Sequence, residues 1–135
     1  MKRKTYVKCE PKYIVKKEEG MVICVLNCYV DLISNPYFMM FEYGKHRKLL
    51  PNISRDGRFT ITSIAKCHKD DTFDEIKGKR IAESKAKIKA FNIAGKVYKF
   101  YADAIEKASK ELYSTMANCF IVTDEEIEHF NNLTK

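Results

Sequence analysis

Two groups of side chains in this 135-residue sequence have types and spacings that could do chemistry. The first runs from Cys67 to Glu75, where Cys67-His68 is followed by Asp70, Asp71, Asp74 and Glu75. A thiol beside an imidazole is the pairing of a nucleophile with its base, and clustered carboxylates are the material of a divalent-cation site or of acid–base work. Spacing counts against both. Neighbouring residues on a strand point to opposite faces, so the Cys67 thiol and the His68 ring cannot share the required hydrogen bond without a bulge. The carboxylates lack EF-hand spacing, and no histidine pairs usefully with them. Capping suits them better: Thr72-Phe73-Asp74-Glu75 has a Thr followed three residues later by a Glu, the pattern of a helix start, and acids are favoured at a helix's positive end. No catalytic residue, metal ligand or cofactor is assigned, and the chain reads as a non-enzyme.

The second group is basic. From Lys77 to Lys99 the sequence holds Lys77, Lys79, Arg80, Lys85, Lys87, Lys89, Lys96 and Lys99 against Glu83 alone. On a helix, like charges three or four residues apart repel by a few tenths of a kcal/mol. The segment is either a solvated face or a phosphate-binding surface, and the scarcity of acids favours the second. The loop Lys45-His46-Arg47-Lys48, with Arg55 and Arg58, would extend it if the sheet edge lies beside the helix. Tyr98 sits among the lysines, where an exposed ring could stack on a base for about 1–3 kcal/mol, and Asn92 could read a base or ribose edge. The candidate ligand-binding set is therefore Lys79, Arg80, Lys87, Asn92, Tyr98, Arg55 and Arg58.

The elements that must position these groups follow from periodicity. Residues 6–15 have a rough period of two, with Pro11 marking an edge strand or a break. A charged turn ending in Gly20 leads to residues 21–33, where Val22, Cys24, Leu26, Cys28, Val30 and Leu32 share one face and should meet the core. Ser34-Asn35-Pro36 turns into a third strand over 37–43, and residues 59–67 make the last main strand. A helix is expected from the Thr72 cap to Asn92, with Ile76, Ile81, Ile88 and Phe91 joining Ala82, Ala86 and Ala90 in its apolar stripe. A second helix, 96–117, carries a stripe from Val97 through Tyr101, Leu112 and Met116 to pack on the sheet. The alternative is one long bent helix, since Gly95 is the only break. A short strand over 118–122 and a terminal helix over 124–132 complete the chain. The expected fold is a single α+β domain over 1–135: an antiparallel sheet of four to five strands, then two packed helices.

Composition bounds the rest. With 45% hydrophobic residues the chain can build a core, and its net charge of +7 attracts polyanions. No apolar run approaches the 18 or so residues of a membrane span, and no apolar segment follows the basic start MKRKTYVK as a secretory signal would require. Five cysteines, an odd number without framework spacing, point to free thiols in a reducing cytoplasm.

The run Ala65-Lys66-Cys67, the turn Asp71-Thr72-Phe73-Asp74 and the helical Gly78, Ala82 and Ala86 resemble a group of small phage and prophage accessory proteins. In architecture the chain is similar to the Thoeris anti-defence sponge proteins within that group. The resemblance implies a viral protein of the host-cell cytoplasm, without an active site, that sequesters a phosphorylated nucleotide signal such as a cyclic ADP-ribose isomer, as a homo-oligomer. Charge alone favours a nucleic-acid-binding protein as much, although no recognisable nucleic-acid motif occurs; a third reading is a protein–protein inhibitor of a host defence nuclease, its basic face meeting an acidic or guide-binding surface.

Overall fold

The strict alternation of residues 21–30 builds the centre of the fold. In the computed structural model, which describes residues 7–31 and 45–135, they form the middle strand of a three-stranded antiparallel sheet. Strands β1 (Val7–Lys16), β2 (Met21–Val30) and β3 (Arg58–Lys66) lie in the order β1-β2-β3, and one helix, α1 (Glu75–Leu133), follows. The class is α+β, with three strands and one long helix among the described residues rather than the four to five strands and two helices expected. The strand expected over 37–43, and Leu32, lie outside the described residues.

A 3-10 turn, Lys17–Glu19, joins β1 to β2 and ends at Gly20 with φ +60°, a left-handed conformation that costs glycine nothing. Pro11 sits opposite Leu26 on the edge strand, and β1 runs through it unbroken. One face of the sheet is the core face. Val22, Cys24, Leu26, Cys28 and Val30 are buried there with Phe59, Ser63 and Ala65 of β3. Burial pushes the Cys28 thiol up to about 12, helped by the neighbouring Cys9, so it packs as a small apolar group.

α1 covers this face with Ala82, Ala86, Ala90, Ala94, Val97 and Tyr101. The large residues expected in its stripe are not there: Ile76 is 66% and Ile88 69% exposed, and Ile81 and Phe91 are also exposed. The reason is phase. Ile81 and Phe91 each lie one residue, about 100°, from a buried alanine, and Ile88 lies about 200° from Ala86. Small side chains on the helix let its backbone approach the sheet, which supplies the bulk. Gly78 extends that logic. A Cβ there would lie 2.8 Å from Val22 Cγ2, and β-branched Val22 is fully buried and stiff. Gly78→Ala should therefore lose about 1–2 kcal/mol by urea denaturation: the overpacking penalty exceeds the gain of about 1 kcal/mol in helix propensity.

Three sequence boundaries are corrected. The first concerns the helix start. α1 begins at Glu75, and its cap is Asp74, whose carboxylate accepts the Lys77 N–H at 3.1 Å, not Thr72. Second, Gly95 does not divide the helix: its surroundings are open, and one interior glycine costs only about 1 kcal/mol. Third, residues 118–122 are helical, not a strand, and α1 runs on through Thr123, whose hydroxyl donates back to the Cys119 carbonyl at 2.9 Å. Strand propensity needs an adjoining strand to express it.

The chain divides into two compact units, Met1–Tyr101 and Ala102–Lys135. The first carries 22 basic against 11 acidic residues, the second 3 against 7. Within the second unit every residue from Ser109 onward is exposed. Leu112 and Met116, expected to pack on the sheet, are among them.

Candidate functional site

Between Ser84 and Tyr101 α1 carries five lysines and no acid. Four of them, Lys85, Lys89, Lys96 and Lys99, fall into line with Asn92, because steps of four, three, four and three keep side chains on one side of a helix. All five are exposed, and the line is about 21 Å long at 1.5 Å per residue. It starts beside the edge of β3, where the Lys85 ammonium donates to the Ile64 carbonyl at 3.3 Å. Lys89 and Lys96 make no ion pair with any described residue. Charge counting alone registers these lysines as a bias and leaves them out of the candidate set. The 4-3-4-3 spacing is the signal that groups them.

The seven residues proposed from sequence are distributed over several places. Lys79 and Lys87 lie on the flank of α1 near β1, where they pair with Glu75 and Glu83, both at 3.8 Å. The Lys79 ammonium also stands 5.4 Å from the centre of the Tyr13 ring. Burial, then the Glu83 carboxylate, raises the Tyr13 hydroxyl above its ordinary pKa. Arg80 is exposed and neighbours this group. Asn92 follows Lys87 by five residues, about 140° round the helix, so the two do not converge. Tyr98 is half-buried and packs against the core.

Arg55 and Arg58 are at the other end of the sheet. Arg58 lies 5.0 Å from the centre of the Tyr29 ring and holds Asp56 at 2.9 Å. Bonds from the Ser54 hydroxyl and then Arg58 keep the Asp56 carboxyl below its usual range. Gly78 and Val22 mark the end where α1 starts, and the seven steps along β2 from Val22 to Tyr29 span about 23 Å. Arg58 therefore does not join Lys79 and Arg80.

The strand–turn–helix junction forms a cleft of about 510 Å³, lined by residues including Lys66, Cys67, His68, Asp71, Asp74 and Lys77. Its pieces bond to each other. The Cys67 thiol is 3.5 Å from the carbonyls of His68 and Asp71. His68 Nδ1 accepts the Asp70 N–H at 3.3 Å and lies 3.6 Å from the Asp70 carboxylate. The imidazole is thus engaged with Asp70. Among the described residues no three His, Cys, Asp or Glu side chains gather to hold a metal ion. Lysines and carboxylates nearly balance in this lining.

The basic turn Lys45–Lys48 contains a residue whose role spacing does not reveal. His46 is fully buried. Its Nε2 is 2.9 Å from the Ser54 carbonyl, which can only accept, so Nε2 carries the proton. Its Nδ1 then accepts from the Tyr101 hydroxyl at 2.8 Å. One ring ties the loop before β3 to α1. A histidine flanked by Lys45, Arg47 and Lys48 reads as surface charge, and nothing local marks it as core.

No protein-family model, curated protein or solved structure matches the chain. No described helix is long and apolar enough to cross a membrane.

Proposed function

We propose that the chain is a non-enzymatic polyanion binder whose first unit engages a nucleic-acid backbone through the exposed line Lys85–Lys89–Asn92–Lys96–Lys99. The observation that carries this reading is the line itself: four ammonium groups over about 21 Å with no acid between Ser84 and Tyr101. A flat run of cations suits a chain of phosphates better than one small ligand, which needs a concave site. Four neutralised phosphates give a log–log salt slope of about −3 to −4, so affinity should fall about a hundredfold between 50 and 200 mM salt. Fluorescence anisotropy with a labelled single strand and the matching duplex measures this. Binding that is absent at low salt, or indifferent to salt, rules the reading out.

The cleft favours a second reading, capture of a phosphorylated nucleotide such as a cyclic ADP-ribose isomer. Its volume of about 510 Å³ lies within the range of small-molecule sites. The near balance of charge along its wall gives an anion less attraction than the lysine line does. The same preparation, melted with such nucleotides at 100 times their dissociation constant, should gain about 2.7 kcal/mol if this reading holds. An unchanged melting temperature, together with salt-sensitive oligonucleotide binding, selects the first reading.

A further inference from the structure

In the second unit, a stripe at 105, 108, 112, 116, 119, 123, 127 and 130 lies on one side of α1. The steps of three and four repeat every 11 residues, the period of a nearly straight, slightly right-handed helix pair. The same steps separate Ala94, Val97 and Tyr101, which are buried in the first unit. From Leu112 onward the stripe is bare: Leu112 is 71%, Ile127 53% and Phe130 63% exposed. Amphipathic helices draw most of their stability from packing of the apolar face.

We propose that this stripe is the interface of an antiparallel homodimer. The spacing 3-4-4-3-4-4-3 reads the same in both directions, so a two-fold axis between positions 117 and 118 matches every stripe residue with another. Ile105 then faces Phe130 of the partner subunit, small Ala108 faces bulky Ile127 of the partner subunit, and Met116 faces Cys119 of the partner subunit. Charge selects this direction over the parallel one. In a parallel pair the acidic run Asp124, Glu125, Glu126 and Glu128 would meet its own copy. In the antiparallel pair Lys107 lies across from Glu128 and Lys110 from Glu125, at the expense of one like-charge pair, Glu111 with Asp124. Size is compatible: five large apolar side chains, Ile105, Leu112, Met116, Ile127 and Phe130, with the smaller Ala108, Cys119 and Thr123 between them, supply about 600 Å² per copy, the lower end of the standard interface range.

The test uses the full chain. Sedimentation velocity at about 50 μM, above the micromolar dissociation constants that interfaces of this size reach, should give a dimer. L112E with F130E should give a monomer. Ile121→Glu, on the opposite side of the helix, should leave the dimer intact. Because charged variants can also unfold a helix, a second measurement reads the register directly. Met116→Cys places a thiol opposite Cys119 of the partner subunit, so oxidised glutathione should convert this variant to a covalent dimer at least tenfold faster than the parent. Adding Cys119→Ser should abolish the gain. The proposal is overturned by a monomeric parent, by a dimer that withstands L112E with F130E, by equal dissociation of I121E, or by cross-linking of M116C no faster than the parent.

Discussion

His46→Ala should destabilise the first unit by about 3–5 kcal/mol, a large fraction of the 5–15 kcal/mol typical of whole domains. Removing the imidazole breaks two hydrogen bonds at once, to the Tyr101 hydroxyl and to the Ser54 carbonyl, at a fully buried position. The Ser54 carbonyl keeps the Gly57 N–H at 3.0 Å, so most of the loss comes from the vacated ring volume, roughly 2 kcal/mol or more, with about 0.5–1.5 kcal/mol for each lost bond. Tyr101→Phe is the informative comparison. It keeps the ring volume but leaves the His46 nitrogen without the hydroxyl, and should lose about 1–3 kcal/mol. Urea denaturation followed by tyrosine fluorescence measures both, with the chain's eight tyrosines and no tryptophan as the signal. The midpoint should fall while the slope holds. A loss below about 1 kcal/mol for His46→Ala would mean that the loop's attachment to α1 does not depend on the ring.

Reversing the charge of Lys89 and Lys96 together should weaken oligonucleotide binding about a hundredfold at low salt and make the salt slope shallower by about two, one for each phosphate no longer neutralised. Both side chains are exposed and bond to no described residue, so folding stability should move by less than about 0.5 kcal/mol per site. Lys8→Glu is the control. Lys8 alternates with Val7 and Cys9 of the core face and so points from the other face of the sheet. Its reversal alters net charge equally per site and should weaken binding only a few-fold through the general field. Equal losses from Lys8→Glu and from either helix reversal would show that net charge, not the line, does the binding.

The parts of the fold that the sequence discloses are those where one residue's period settles its environment. β2 is legible because a two-residue alternation leaves Val22, Cys24, Leu26, Cys28 and Val30 one place to go. The helix is harder. Its apolar residues compete for the buried side, and the weight of Ile76, Ile88 and Phe91 suggests a stripe that the alanines in fact occupy. Alanine carries little hydrophobic signal but permits the closest packing, and that advantage depends on bulk supplied by another element. The helix's length is obscured for a related reason. Gly95 and the run Phe120-Ile121-Val122 are local counter-signals of about 1 kcal/mol or less each, too weak to stop a helix already propagating. The candidate site is legible as a composition bias but not as a geometry. Lys79, Lys87 and Asn92 are close in sequence, yet only the rotation per residue decides that Asn92 joins Lys85, Lys89, Lys96 and Lys99. His46 is not legible at all, since its partners Ser54 and Tyr101 lie 8 and 55 residues away.

The row Ala82, Ala86, Ala90 and Ala94 has a consequence on the timescale of descent. These four positions can accept only glycine, serine or another small residue without lifting α1 from the sheet, so drift there is closed. Two residues away at most, Lys89 and Lys96 face water and bond to no described residue, so the fold places little demand on them. Any lineage of this chain thus carries two records on one helix: a steric one that must persist wherever the fold persists, and an electrostatic one that persists only while the charge is used. In remote descendants, loss of positive charge at 89 and 96 with the alanines intact would mark the branch on which the binding role lapsed.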